Sequence, residues 1–283
     1  MKRLLLALAI IEMGLVAGNK PLTPRPPIYG IPAKTLPRKR LIIRGYFIYP
    51  HFVRKYNPRS GIMEKLPPGT SLRVESFVLK LRYGITSRLT AIANFPFVGK
   101  KFSTPSFAKS SSGIGDSIGA LLFKLHHDRK NRFITSVLLW SKWPTARTKN
   151  LSSDEIPLGT GSYDYGIALL PEKEFGKWDL RWCFFYKIKG KNYQGKDQPN
   201  QIILSWSTAY NLSYRFIPEV SLVYTKEFPG AGEPAFYSVK MVAGGQFRIK
   251  RTFLVQAAAL DNLKARLPFA DDFTLWLGFY SLF

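Results

Sequence analysis

The sequence predicts an all-β fold: an antiparallel transmembrane β-barrel of about 12 strands, with short periplasmic turns and longer extracellular loops. Two observations predict it. Segments of roughly ten residues place apolar side chains at every second position, which is the period of a β-strand. The connections between these segments alternate between short and long, as they do in barrels that cross the bacterial outer membrane.

The clearest alternating segment is WDLRWCFFYKIK, residues 178–189. Ordinary half-buried strands keep such a pattern over about five residues, whereas here it spans the whole segment. Lipid outside the strand explains a long apolar face that carries Trp and Tyr. One parity holds Trp178, Leu180, Trp182, Phe184, Tyr186 and Ile188, and the other includes Asp179, Arg181, Lys187 and Lys189.

The other candidate strands follow the same period from residue 40 onward. Together with 178–189 they are residues 40–53, 70–83, 88–98, 115–126, 132–143, 162–170, 200–213, 218–228, 236–249, 252–261 and 272–283. The short connections near 84–87, 127–131, 171–177, 214–217 and 249–251 predict periplasmic turns, and the longer ones between them, up to 262–271, predict outer loops. A soluble Greek-key sandwich is the alternative fold, but it has no reason to alternate its connections in this way.

Three ranges organise the chain. Residues 1–18 are predicted to be a signal peptide, because two basic residues precede an apolar stretch that ends in small residues. A short buried helix is the alternative for this stretch. Residues 19–38 are predicted to form a proline-rich N-terminal tail that cannot hold a helix or a central strand, and residues 39–283 to form the barrel.

The composition is strongly basic. Among 283 residues, 42 Lys and Arg face 18 Asp and Glu, a formal charge of +24, which attracts nucleic acid, anionic lipid or anionic solutes. Because the basic residues are scattered and no nucleic-acid-binding motif accompanies them, we expect no nucleic-acid partner. The single cysteine, Cys183, excludes an intrachain disulfide and a cysteine-based metal site, and neither a metal nor a cofactor is predicted.

Parity assigns side chains to the two faces of the predicted strands, although one β-bulge would reverse every assignment beyond it. The expected lumen-lining charges are Arg181, Lys187, Lys189, Lys240, Arg248, Glu219, Glu227 and Asp179. Trp and Tyr concentrate where a membrane meets water. The expected lipid-facing or girdle side chains are therefore Trp178, Trp182, Tyr186, Trp206, Tyr163 and Tyr165.

The chain ends in DDFTLWLGFYSLF, with Phe279 and the terminal Phe283 on one apolar parity. This ending is similar to the C-terminal strand that the bacterial barrel-assembly machinery recognises, although Ser281 departs from the apolar residue usual at its position. We therefore expect Phe279 and Phe283 to form the assembly signal, with the assembly machinery as a partner.

Three further segments carry a family resemblance: YGITSRLTAIANFPF (83–97), GIGDSIGALLFKL (113–125) and LGTGSYDYGIAL (158–169). Together with Asp272, Gly278 and Phe283, and in this order, they resemble a family of outer-membrane β-barrel channels named for the meta-cleavage pathway of phenol degradation. Residues 40–80 match less clearly, and the basic composition departs from most such barrels. The resemblance implies an outer-membrane channel, in some members linked to the uptake of small or hydrophobic compounds.

These observations lead us to expect a channel in the bacterial outer membrane with no enzymatic activity, whose narrow lumen passes small solutes passively and favours anions. Uptake of hydrophobic or aromatic compounds through a plugged lumen is the first alternative, and a structural or docking barrel is the second. A lipid-acting enzyme would need a nucleophile beside a base, but Ser117 and His126 lie nine residues apart. Membrane lipid and lipopolysaccharide are further expected partners, with phosphates meeting basic loop residues such as Lys100.

Overall fold

A computed structural model describes residues 31–57, 60–229, 235–250 and 252–283, so that most of the tail and the predicted signal peptide lie outside the described residues. Within those ranges no helix is long and apolar enough to cross a membrane. The strands are β1 (Leu41–Asn57), β2 (Ile62–Lys65), β3 (Ser71–Gly84), β4 (Leu89–Ser103), β5 (Ala108–Ile114), β6 (Ser117–Asp128), β7 (Phe133–Trp143), β8 (Asp164–Phe175), β9 (Trp178–Lys189), β10 (Gln201–Tyr210), β11 (Phe216–Glu227), β12 (Tyr237–Lys250), β13 (Phe253–Arg266) and β14 (Phe269–Leu282).

All of these strands except β2 and β5 form one closed antiparallel ring of 12, as predicted. Ring neighbours are consecutive along the chain, and β14 returns to pair with β1. That last pairing runs from Ile42 opposite Leu282 to Lys55 opposite Phe269. Closure matters because an open edge in hydrocarbon would leave backbone N–H and C=O groups without partners. The predicted barrel and its strand number are confirmed.

The two ends of the barrel differ in their connections. The turn end carries the short turns after β3, β6, β8, β10 and β12, together with the start of β1 and the C-terminus. The loop end carries the longer connections, as predicted, with β2 paired to the end of β1 and β5 paired to the outer half of β4. Sequence periodicity missed β2 and β5, because both are short and lie in segments rich in polar residues.

One predicted loop is much shorter than expected. The connection expected over residues 262–271 reduces to Leu267 and Pro268, because β13 and β14 continue past their predicted ends. The alternation of short and long connections therefore fails at this position, although it holds around the rest of the ring.

Side-chain exposure alternates along the ring strands. In β9, Phe184 and Ile188 are 49% and 52% exposed, whereas Asp179 and Arg181 are each only 5% exposed. Repeated around the ring, this alternation makes the outer wall a continuous apolar band, which only a lipid environment accommodates. Closed barrels with such a band belong to the bacterial outer membrane, so the predicted location is confirmed. The band includes Phe47, Phe95, Phe97, Leu121, Leu139, Ile167, Leu169, Leu204, Trp206, Val220, Leu222, Met241, Leu275 and Leu277.

The position of this band can be tested with a pair of charged substitutions. Leu204 lies on the outer face at the middle of β10, opposite Phe184. We expect Leu204→Arg to lower the free energy of unfolding in lipid vesicles by about 2–4 kcal/mol, because a charge at the bilayer midplane is costly. Tyr163→Arg, beside the loop-end start of β8, should change it by about 1 kcal/mol or less. Denaturant titration followed by tryptophan fluorescence measures both, and equal losses would contradict the lipid-facing assignment.

Candidate functional site

The structure places the eight charged residues expected in the lumen on the inner face of the ring, in two groups. That they line a conducting path stays a prediction. The group near the turn end contains Asp179, Arg181, Glu219 and Arg248, all buried. The group near the loop end contains Lys187, Lys189, Glu227 and Lys240, all partly buried.

At the turn end, Arg181 is held by carboxylates. Its Nη2 donates to Asp179 Oδ2 at 2.5 Å and its Nη1 donates to Glu219 Oε2 at 3.2 Å. Glu172 Oε1 lies 3.9 Å from the Arg181 Nε. All four side chains are almost inaccessible to water, so this arginine is matched by buried negative charge and adds little to the field that a passing anion meets.

The N-terminal segment of residues 31–38, here the inner segment, lies inside the barrel at this level. The Lys34 Nζ is 2.6 Å from both Glu172 Oε1 and Glu174 Oε1 on β8. The Ala33 N–H donates to the other oxygen of Glu172 at 3.1 Å. On the opposite side, Arg82 Nη2 on β3 donates to the Lys34 carbonyl at 2.9 Å. The inner segment therefore spans the interior from β8 to β3.

Further contacts fix the inner segment to the wall. The Leu36 N–H donates to Thr90 Oγ1 at 2.7 Å, and the Leu36 side chain is fully buried beside Ile42. Just beyond Leu36, the Pro37 carbonyl approaches Gly84 so closely that a Cβ at Gly84 would lie 1.9 Å from the Pro37 oxygen. Only glycine at the end of β3 allows the chain to turn inward there.

The carboxylates around Lys34 have the spacing of a cation site. One oxygen from each of Glu172, Glu174 and Asp179 lies within 4.8 Å of the others. The Lys34 ammonium group binds two of them and lies 3.7 Å from the third. The chain thus supplies its own cation, and we assign no metal to these residues.

Above this charged layer, toward the loop end, the interior becomes apolar. Two buried clusters meet at Ile203 and together reach round the inner wall from β4 to β1. Ala33 and Ile31 of the inner segment pack into the first of these clusters. Aromatic contacts join their members, for example Tyr46 with Trp276 at 5.0 Å and Trp140 with Phe185 at 5.7 Å between ring centroids. We call this the apolar belt: Tyr46, Ile48, Ile92, Leu122, Leu138, Ala168, Leu170, Phe185, Ile203, Val223, Val242, Ala258, Leu260 and Trp276.

Beyond the apolar belt, a second polar layer lines the loop end. Lys142 Nζ lies 2.8 Å from Asp164 Oδ2, and Lys240 Nζ lies 3.3 Å from Asp271 Oδ1. Lys189 pairs with Glu227. Lys187 has no carboxylate partner among the described ion pairs; its Nζ lies 5.0 Å from the centre of the Trp140 ring. Most basic residues expected in the lumen are therefore matched one by one with acids.

Sequence reasoning missed a group of buried basic residues near the turn end. Lys80 and Arg82 alternate with Leu79 and Leu81 along β3, so parity could have assigned them inward. Arg44 follows a run that is apolar on both parities, so its face could not be read from the pattern. With Arg248, these residues form what we call the basic cluster: Arg44, Lys80, Arg82 and Arg248, all buried.

The aromatic residues expected to face lipid lie on the outer face of the barrel. Trp178 and Trp206 are 44% and 40% exposed, and the Trp178 ring stacks near Tyr210 at the turn end. Tyr163, Tyr165 and Tyr186 lie nearer the loop end and are exposed, while Trp182 is partly buried. Two levels of aromatic residues match the arrangement of girdles, whose role stays a prediction.

The expected assembly signal lies at the seam where the ring closes. The Phe279 ring covers Gly45 on β1, where an added Cβ would lie 2.4 Å from the ring. The Phe283 carbonyl accepts a hydrogen bond from the Leu41 N–H at 3.1 Å. Recognition of these residues by the assembly machinery stays a prediction.

Comparisons with known proteins agree with this architecture. The family described as "Putative MetA-pathway of phenol degradation" matches residues 57–265. A search of curated proteins finds no match. Among solved structures, an outer-membrane channel from Pseudomonas putida F1 is similar with a TM-score of 0.74 and 16% identity, over 89% of this chain and 98% of that chain.

Two more distant structures share the fold. The NanC porin has a TM-score of 0.52 at 9% identity, over 85% of this chain and 98% of that chain. The toluene transporter TbuX of Ralstonia pickettii has a TM-score of 0.50 at 8% identity, over 88% of this chain and 90% of that chain.

The contact between Gly84 and the inner segment gives a direct test of its position. In a Cys183→Ser background, Thr35→Cys should react slowly with a water-soluble maleimide, because Thr35 is buried. Adding Gly84→Ala should raise the rate by roughly tenfold or more, because its methyl group and the Pro37 carbonyl cannot both be accommodated. Gly99→Ala, where no atom lies within 4 Å of the new Cβ, is the matched control. Equal rates in the two variants would contradict the position of the inner segment.

Proposed function

This chain belongs to the family named for the MetA pathway of phenol degradation, and we propose that it is an outer-membrane channel for small hydrophobic or aromatic compounds, closed at its turn end by the inner segment. Three physical features support this proposal: an apolar belt, paired charges on either side of it, and a segment of the chain inside the barrel.

The apolar belt carries the proposal. A water-filled pore for ions needs polar groups along its whole length, because an ion that loses its hydration shell must find replacement partners. The inner side chains of the belt, such as Leu122, Leu138, Leu170 and Val223, are apolar and nearly inaccessible to water. Polar neighbours such as Ser136 and Ser221 are small neutral hydroxyls. A neutral apolar solute loses little on entering such a region and gains contacts with Trp276 and Tyr46.

The family and the similar structures support the same class of solute. The family description refers to phenol degradation, and one structure with this fold is described as a toluene transporter. The Pseudomonas putida F1 structure is described as an outer-membrane channel. At these identities the likeness in structure concerns the fold, so the solute of this chain is inferred from its own apolar belt.

Preference for anions is the second candidate, and the basic cluster favours it. The net positive charge of the chain is weaker support for anion preference, because Arg181, Lys189 and Lys240 are each bound to a carboxylate that offsets their charge. Reversal potentials measured under a salt gradient test this candidate: a shift toward the anion potential supports anion preference, and no shift contradicts it.

A lipid-acting enzyme has less support. Ser117 and His126 lie near opposite ends of β6, a separation of about 30 Å at the rise of a β-strand. The Ser117 hydroxyl accepts a hydrogen bond from Thr145, and the His126 ring lies against Phe133. Neither residue has the partner that nucleophilic catalysis requires.

Uptake of a neutral aromatic dye tests the role of the apolar belt. In cells with an intact lipopolysaccharide layer, the protein should speed the uptake of 1-N-phenylnaphthylamine, whose fluorescence rises in the inner leaflet. Val242→Asp should slow this uptake about tenfold, because a carboxyl group in the belt must be desolvated or must hold water there. Val242→Ala, which also shortens the side chain but keeps it apolar, should retain most of the rate. Unchanged uptake in the Asp variant would rule out passage through the belt.

The closing role of the inner segment is tested separately. Lys34→Gln removes the cation from Glu172 and Glu174, and a buried ion pair that loses one partner is strongly destabilised. We expect openings in planar-bilayer recordings to become roughly tenfold more frequent. Arg38→Gln changes an exposed residue of the same segment and should leave the recordings unchanged. A Lys34 variant as quiet as the parent protein would contradict closure by this segment.

A further inference from the structure

The basic cluster gathers positive charge on one side of the turn end. Lys80 lies opposite Arg44 in the β1–β3 pairing, and Arg44 lies opposite Tyr280 in the β1–β14 pairing. Arg248 on β12 lies opposite Leu254, which is itself opposite Tyr280. Arg44, Arg82 and Arg248 all interact electrostatically with Tyr280. The four basic residues, on β1, β3 and β12, therefore lie with Leu254 on β13 and Tyr280 on β14 in one region of the inner wall, formed by five neighbouring strands.

Two arginines of this cluster retain donors that no described residue engages. Buried Arg82 uses Nη2 for the Lys34 carbonyl, while its Nε and Nη1 have no hydrogen-bond partner among the described residues. The Nε and Nη2 of buried Arg248 also have no hydrogen-bond partner among the described residues, although the guanidinium carbon lies 4.3 Å from the centre of the Tyr214 ring. Buried guanidinium donors without partners are costly, and each needs an explanation.

The nearby carboxylates do not meet this need. Glu172 is held by Lys34 at 2.6 Å, and Glu219 is held by Arg181 at 3.2 Å. Arg44 lies over the rings of Tyr46 and Trp276, with its guanidinium carbon 5.2 Å and 5.3 Å from their centroids. An additional anion is therefore the group that the geometry suits, and guanidinium donors suit a carboxylate best.

The apolar belt begins one side-chain step above the basic cluster. Tyr46 follows Arg44 by two residues on the same inner face, and Val78 precedes Lys80 by two, which is about 7 Å along each strand. A ligand with its charge at the basic cluster therefore has its next atoms against Tyr46, Trp276 and Leu254. Contact with such an apolar surface does not stabilise a small hydrated anion, whereas it does stabilise the apolar part of a larger ligand.

We infer that Lys80, Arg82 and Arg248 form an anion subsite for hydrophobic carboxylates, with the apolar body of the ligand in the adjoining part of the apolar belt. The inference rests on the proposed function for the route by which the ligand arrives. It narrows the solute class to amphipathic acids, such as aromatic carboxylates, and gives the basic composition a role that a purely apolar channel lacks.

Binding to the refolded full chain in detergent tests the subsite, with benzoate, its neutral analogue benzyl alcohol and acetate as probes in calorimetry. We expect benzoate to bind at least about tenfold more tightly than either of the others, because only it uses both regions. Arg82→Gln and Arg248→Gln should each weaken benzoate about tenfold and leave benzyl alcohol unchanged. Arg88→Gln, an exposed arginine in the turn that follows Arg82, should change neither.

The comparison of probes on the unaltered protein keeps the test valid if a variant fails to fold. Equal binding of benzoate and benzyl alcohol overturns the subsite, and equal binding of benzoate and acetate overturns its hydrophobic part. Dye uptake is measured on the same protein. Uptake without benzoate preference leaves the proposed function standing and ends this inference, whereas benzoate preference without uptake supports the subsite and removes the proposed function.

Discussion

The requirement that every backbone polar group be paired within hydrocarbon governs the rest of this structure. It forces β14 onto β1, and the two strands pair along their lengths with the Leu41 and Phe283 backbones joined by reciprocal hydrogen bonds of 3.1 Å and 2.8 Å. The inner segment ends beside this seam, because Leu36 packs with Ile42, Leu254 and Tyr280 at the point where β1 starts. Closure of the ring thus fixes the place at which the preceding chain can turn inward.

A closed ring of this size must also fill its interior. Barrels of this strand number lie between small barrels filled by side chains and large porins with an aqueous channel. Here the filling is layered, with ion pairs at each end and the apolar belt between them. The layers follow from energetics, because buried carboxylates and ammonium groups are stable only in contact with one another, and leaving one unmatched is costly.

The strands of the barrel wall could be predicted from the sequence, whereas most contacts inside the barrel could not, for a physical reason. A period of two is imposed by lipid on one face, so the predicted bounds of β9 match the observed ones. Asp179 and Arg181, which the same period predicts to face inward, are buried. The contacts of Lys34 with Glu172 join residues far apart in the chain, and no local pattern records such a meeting. The run before Arg44 is apolar on both parities because its inner face packs against Leu36, which hides the alternation. The sequence also did not predict the short connection after β13. Where β13 and β14 extend beyond the membrane they no longer have lipid on one side, so the alternation that marks a strand is lost there.

The strong positive charge of the chain and its apolar interior are compatible because they act in series. In the route that we propose, the apolar belt opposes the passage of hydrated ions, so charge at the two ends does not by itself predict an ion current. In that proposed route, charge at the turn end holds a solute that has crossed the belt, and it also holds the inner segment through Lys34 and Arg82. Arg82 belongs to both regions, since one nitrogen donates to the Lys34 carbonyl and two others have no hydrogen-bond partner among the described residues. An anion at the proposed subsite would meet the Nε and Nη1 of Arg82, beside the Nη2 that holds the Lys34 carbonyl, so the proposed subsite adjoins the inner segment.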